Sequence, residues 1–231
     1  MTVTGVSRAM GTTVEGIRRA ITIGTPVAFA VLTLFHPSAH PGHLGDSVTR
    51  WIAVHLAQLV LSVLLAYCIW FLVDGIRSTS AVVARAVLPV FLVFFSAFDA
   101  VAGLATGWLS AAGHRSEADD AWTESAISRL FDDNWLTGNL SVAGSTGGVA
   151  WLVVALAAAV ALRGAGADRL TVGLMACSSL FVVHPPPFGT LGMIALSAAA
   201  YRWDRSRGRA RPAGVPAARP TPAAARPSAG P

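Results

Sequence analysis

Apolar residues gather into six runs separated by short polar joints, the pattern of a chain that crosses a bilayer repeatedly. A spanning helix needs about 20 largely apolar residues, with roughly 17 to 25 tolerated. Residues 20–35, 51–73, 81–108 and 145–162 approach or exceed that length. Residues 170–183 and 188–201 form shorter runs, ~21 Å each at 1.5 Å per residue, and Pro185, Pro186 and Pro187 separate them. A row of prolines removes backbone donors and cannot continue one helix, so these are read as two spans. The expected fold is all-α, a polytopic membrane helix bundle with six transmembrane helices.

Sidedness follows from the arginines, because cytoplasmic segments retain basic residues. With the N-terminus inside, 14 of the 17 basic residues fall on the cytoplasmic side, leaving Arg50, Arg115 and Arg129 outside, and an even number of spans returns the C-terminus to the same face. Residues 1–19 then form a cytoplasmic segment, 20–202 the membrane domain, and 203–231 a cytoplasmic tail. That tail is dominated by Arg, Pro and Ala, has nothing to bury and is expected to be disordered. Its arginines suit anionic lipid headgroups, at ~1 kcal/mol per basic residue near the surface. Ala28-Phe29-Ala30 mimics a signal-peptide cleavage site, but the run continues to Phe35, past the ~7 to 15 residues of a signal core, and is read as a span.

One polar segment retains helical periodicity. Within the external loop 113–141, residues 116–133 read as a helix capped by Ser116, with Glu117, Asp119 and Asp120 at its positive end. Trp122, Ala126, Ile127, Leu130 and Phe131 are expected on one face, either as a packed connector or as a lid.

Composition sharpens the class. A content of 54% hydrophobic and 13% charged residues excludes a soluble globule, a disordered chain and a secreted disulfide scaffold. The net charge of +5 is not a nucleic-acid signature, since the basic residues lie at the ends of apolar runs and in the tail. All are arginine, which with abundant Ala, Gly and Val suggests a GC-rich bacterial genome and a plasma-membrane location. Cys68 and Cys177 lie inside apolar runs and act as small apolar side chains. Gly144-x-x-x-Gly148 and the alanine-rich fourth run favour close helix packing, within the bundle or between copies in a homo-oligomer.

Polar groups in hydrocarbon are expensive, so each one inside a span is a candidate for function. Asp99 is the acidic residue in mid-run, with Ser96 one turn earlier; Trp51, His55, Gln58 and Ser62 form one helical stripe; His36 closes the first run and His184 the fifth. Measured from the nearest arginine or aspartate of the inner face, His36, His55, Asp99 and His184 lie at about 26, 28, 21 and 22 Å. In a core ~30 Å thick this is the outer leaflet. The expectation is therefore an outward-facing pocket of His36, His55, His184, Asp99 and Ser96, with Trp51 and Gln58 in its wall.

Four chemistries suit such a pocket. The imidazoles are suitable ligands for zinc, with Asp99 as general base or fourth ligand and Ser96 orienting water or substrate, which would make a hydrolase acting on a lipid-like ester or amide. Asp99 paired with His55 would be a structural joint between spans. A proton-coupled or small-solute transport site is the third, although no inverted repeat relates the halves; bis-histidine haem is the fourth.

Phe35-His36-Pro37, the Trp51-x-x-x-His55-x-x-Gln58 stripe, Ser96-x-x-Asp99 and His184-Pro185-Pro186-Pro187 resemble stretches of uncharacterised actinobacterial integral membrane proteins, over most of residues 20–202. The residue types Ser96, Asp99, His36, His55 and His184 are also similar to the set that ceramidase-like membrane hydrolases place around zinc. That resemblance implies hydrolysis. The chain departs from those hydrolases in having six expected spans rather than seven and in lacking paired histidines in the last span.

Overall fold

The computed structural model describes residues 13–37, 44, 47–113, 120–132, 134–137 and 141–210, and among them there is helix and no strand. The helices are α1 (Thr13–Leu34), α2 (Val48–Leu72), α3 (Thr79–Gly113), α4 (Asp120–Phe131), α5 (Val142–Gly164), α6 (Arg169–Val182) and α7 (Phe188–Ala210). Of these α1, α2, α3 and α5 are long and apolar enough to cross a membrane. Length and composition thus support four of the six expected spans. Helix α6 is shorter and tightens into a 3₁₀ turn over Ser178–Val182. Helix α7 reaches 23 residues only by including its arginine-bearing end.

The burial pattern of α2 shows why this is a membrane-type bundle. Trp51, His55, Gln58, Ser62, Leu65, Ile69 and Leu72 follow helical spacing and are buried, whereas Leu56, Val60, Tyr67 and Trp70 on the other faces are about half exposed. Water would select the reverse arrangement. A helix apolar all round, with its polar groups turned inward, matches a hydrocarbon surrounding.

Aromatic packing closes the core. Phe29 of α1 meets Phe181 of α6 edge-on with centroids 4.8 Å apart, and Trp151 of α5 lies 5.5 Å from Phe181 and 5.1 Å from Phe91 of α3. Three buried indoles donate across helix pairs: Trp51 to the Gly103 carbonyl (2.8 Å), Trp151 to that of Ser178 (3.0 Å) and Trp203 to that of Leu72 (3.2 Å). Each satisfies a donor that hydrocarbon would leave orphaned.

The glycines of α5 act differently from the expected Gly144–Gly148 pair. Gly147 makes the closest approach, since a Cβ there would stand 2.9 Å from the Phe95 backbone nitrogen of α3, while Gly148 faces Val182 of α6. Two faces of one helix therefore meet two neighbours.

Charged residues collect at one end of the bundle. Arg18 pairs with Asp74 (3.4 Å), Arg19 with Asp204 (2.5 Å) and Arg202 with Asp168 (3.1 Å), linking α1, α2, α6 and α7. These contacts and buried Trp203 carry α7 as far as Ala210, beyond the expected start of a disordered tail at 203. Residues 211–231 and 1–12 lie outside the described residues, as do the expected cap and acidic first turn at Ser116, Glu117 and Asp119.

Helix α4 forms within the expected stretch with Ala126, Ile127, Leu130 and Phe131 on its less exposed face, and the expectation is corrected at Trp122. Thr123 and Ile127 are buried and Leu130 is half-buried, whereas Trp122 is 64% exposed. Gly113 at the end of α3 positions this face: its missing side chain admits Thr123, whose Oγ1 would lie 2.5 Å from a Cβ there.

Candidate metal centre

At the end of the bundle opposite the ion pairs, three chain segments bring His36, His55 and His184 together. One ring nitrogen from each lies within 4.8 Å of the others. Ring centroids are 5.1 Å apart for His36–His55 and 5.6 Å for His36–His184. His36 follows the last turn of α1 and donates its backbone N–H to the Thr33 carbonyl (3.1 Å). His55 projects inward from α2, and His184 follows the 3₁₀ end of α6.

Two of these rings have a defined tautomer. His36 Nδ1 lies 2.9 Å from the Pro37 carbonyl and His55 Nδ1 lies 2.7 Å from the Trp51 carbonyl. A carbonyl oxygen only accepts, so Nδ1 carries the proton in both rings and Nε2 keeps its lone pair. His36 Nε2 is buried and has no hydrogen-bond partner. A ring held through Nδ1–H with Nε2 free is the arrangement of a metal-ligating histidine.

The centre depends on two glycines and a threonine pair that sequence reasoning missed. A Cβ on Gly103 would stand 2.1 Å from His55 Cδ2, and one on Gly189 would stand 1.8 Å from the His184 carbonyl oxygen. Only bare backbone lets α3 lie flat on the His55 ring and lets α7 begin against the His184 turn. Thr33 and Thr190 share a buried hydroxyl–hydroxyl hydrogen bond of 2.8 Å, which fixes the His36 end of α1 to the start of α7. No sequence pattern marks these four residues, and the His-Pro dipeptide at His36 and His184 recurs at His40-Pro41.

Asp99 and Gln58 occupy a separate level. Asp99 opens the π-helical segment Asp99–Ala105 of α3, is 1% exposed and has an unpartnered Oδ2. Gln58 is fully buried with neither amide atom bonded. Helices α2 and α3 run antiparallel, with Gly107 on Ile52 and Gly103 on His55, so one turn back along α3 sets Asp99 near the height of Gln58, ~5 Å deeper than His55. Ser96 lies a further turn away, roughly 10 Å along the axis from Gly103. Among the described residues no hydrogen bond or ion pair joins Asp99 to a histidine, and His55 Nδ1 is engaged by its own helix instead. Buried polar atoms without protein partners require water or a ligand, since each costs about 1–3 kcal/mol when left unmet.

Trp51 serves as a wall: its indole is bonded to Gly103, and its ring lies 4.5 Å from His55 and 5.3 Å from His36. His40 and His43 lie outside the described residues. Fold and site together define an all-helical, membrane-type bundle with a three-histidine cluster suited to a metal ion. No protein-family model, no curated protein and no solved structure matches the chain.

Proposed function

We propose that this protein is an integral membrane metalloprotein whose His36, His55 and His184 hold a zinc ion through three imidazoles, leaving one position open. The observation that carries the reading is the convergence of one ring nitrogen from each of the three histidines within 4.8 Å, in a cluster where His36 and His55 are each anchored through Nδ1 to a backbone carbonyl. Ligands of a tetrahedral zinc at about 2.0–2.1 Å stand roughly 3.3 Å apart, so modest ring rotations close the set on an ion. Neutral nitrogen donors and an apolar surrounding favour zinc over calcium or magnesium, which take oxygen ligands.

In the same reading the bundle has six spans with both termini cytoplasmic. The arginines of α1 and α7 at one end and the histidines at the other support this orientation, which puts the centre in the outer leaflet of a bacterial plasma membrane. Basic residues of the inner end then meet anionic headgroups. Zinc with an open position supplies an acidified water at neutral pH. Asp99, about one turn deeper and bonded to no histidine, would then serve as general base only through a connecting water rather than as a ligand, with Ser96 one turn behind it. Hydrolysis of an ester or amide is the activity this set performs.

Metal analysis tests the centre. Protein purified in nanodiscs and dialysed against zinc is expected to retain one ion per chain. His36→Ala, His55→Ala and His184→Ala should each weaken retention by at least 100-fold, on the order expected for loss of a ligand rather than of its support. Asp99→Asn should keep full stoichiometry. Wild-type protein that retains less than a tenth of an equivalent would refute the reading.

A further inference from the structure

Beside the histidines lies a slot of about 130 Å³ between α3, α5 and α6. Its floor is aromatic: Phe91, Phe95, Trp151 and Phe181 are each no more than 8% exposed. Its rim includes Gly148, Val182 and His184. The slot stays open because, apart from Trp151 in its floor, α5 contributes only Gly144, Gly147 and Gly148 to its lining. A Cβ on Gly148 would reach within 3.4 Å of Val182 Cγ1, and any longer side chain would fill the gap. Val182 is 44% exposed and Gly148 is half-buried, so the mouth opens on the outside of the bundle, where lipid chains lie.

The slot and the histidine cluster share a wall. The His184 ring stands 6.0 Å from Phe95, 6.2 Å from Phe98 and 5.6 Å from His36. Among the residues lining the slot, His184 is the ionisable one. A ligand in the slot therefore meets aromatic rings, the glycines of α5 and Val182, and reaches the centre through His184.

We propose that the slot receives a hydrocarbon group of roughly six carbons, belonging to an amphiphilic ligand whose polar end is held at His36, His55 and His184. This deepens the metal-centre reading and rests on it. Size sets the class, since a cavity of roughly 150 Å³ lined by apolar side chains accommodates benzene. Aromatic walls favour an aryl or short alkyl group by edge and face contacts. A ligand with a small apolar end and a metal-seeking carbonyl or carboxyl head enters sideways from the bilayer.

The test uses cobalt-loaded protein in nanodiscs and a series of hydroxamates, whose head binds the metal and shifts its visible spectrum. Affinity is expected to rise by at least about tenfold from acetohydroxamate to benzohydroxamate, the order of burying one ring, and to fall again for the biphenyl analogue, which exceeds the slot. In Gly148→Leu the benzohydroxamate advantage should collapse, with partition into lipid held constant by the same nanodiscs. A wild-type series flat in size, or one that climbs steadily with hydrophobicity through biphenyl, overturns the slot whether or not the variant folds. Protein that shows no cobalt spectrum at all refutes the metal centre itself, so the two failures are distinct.

Discussion

Replacing Gly103 by alanine isolates the geometry of the centre in one methyl group. The added Cβ would stand 2.1, 2.4 and 2.8 Å from His55 Cδ2, Cγ and Cβ. Carbon atoms pack at about 3.5–4.0 Å, so the pair must separate by roughly 1.5 Å. His55 cannot yield cheaply, because its own Cβ is among the atoms met and its Nδ1 is tied to Trp51 at 2.7 Å. Overpacking of this kind costs about 1–3 kcal/mol, with the upper end expected here. At ~2–4 °C per kcal/mol, the melting temperature in detergent should fall by roughly 6–12 °C. Turning the imidazole away from its carbonyl should also weaken zinc by about 10- to 100-fold, the usual effect of losing a ligand's support. Gly107→Ala is the control. Its Cβ would meet Ile52 Cγ1 at 2.5 Å and Trp51 Cδ1 at 3.1 Å, so it strains the same helix pair without touching a histidine. Chelator competition decides the matter: zinc affinity in Gly103→Ala no weaker than in wild type would refute the claim that Gly103 sets the His55 ring.

Other outcomes follow from single contacts. In Gly189→Ala the Cβ meets the His184 carbonyl at 1.8 Å, so the turn must shift; zinc retention should fall while the Thr33–Thr190 end of α1 stays folded, readable by metal analysis beside circular dichroism. Trp151→Phe keeps a ring but removes the N–H that reaches Ser178 O at 3.0 Å, which should cost about 1–2 kcal/mol in thermal unfolding. At the arginine end, hydrogen bonds from the Thr171 hydroxyl and backbone N–H, together with Arg202, hold the Asp168 carboxyl at about 2 against an ordinary 3.8. A lowered folded pKa contributes stability that is complete above the unfolded value and disappears as pH falls from about 4 to 2. Melting curves of wild type and Asp168→Asn should therefore converge across that interval and run parallel above it.

Much of the architecture was legible along the chain because a hydrocarbon solvent writes a coarse code. Long apolar runs have few other destinations, and α1, α2, α3 and α5 form where those runs fall. The stripe from Trp51 to Ser62 announced which face of α2 turns inward, since polar groups in a span must seek the interior. Three lone imidazoles at similar distances from the arginine end pointed to one level. Trp122 misled for the same reason, as periodicity carries no knowledge of the hole that Gly113 leaves for Thr123.

Tertiary structure decided everything that depends on register. Nothing in the order of residues tells that Gly103 rests on His55, that Asp99 consequently lies about a turn deeper, near the height of Gln58, or that Gly147 and Gly148 serve two different neighbours. A helix fixes the spacing of its own side chains to 1.5 Å per residue, whereas its slide and rotation against another helix follow from which small residues permit backbone contact. The sequence alone determined which groups must leave the lipid face; the packing of glycine against ring determined which of them meet.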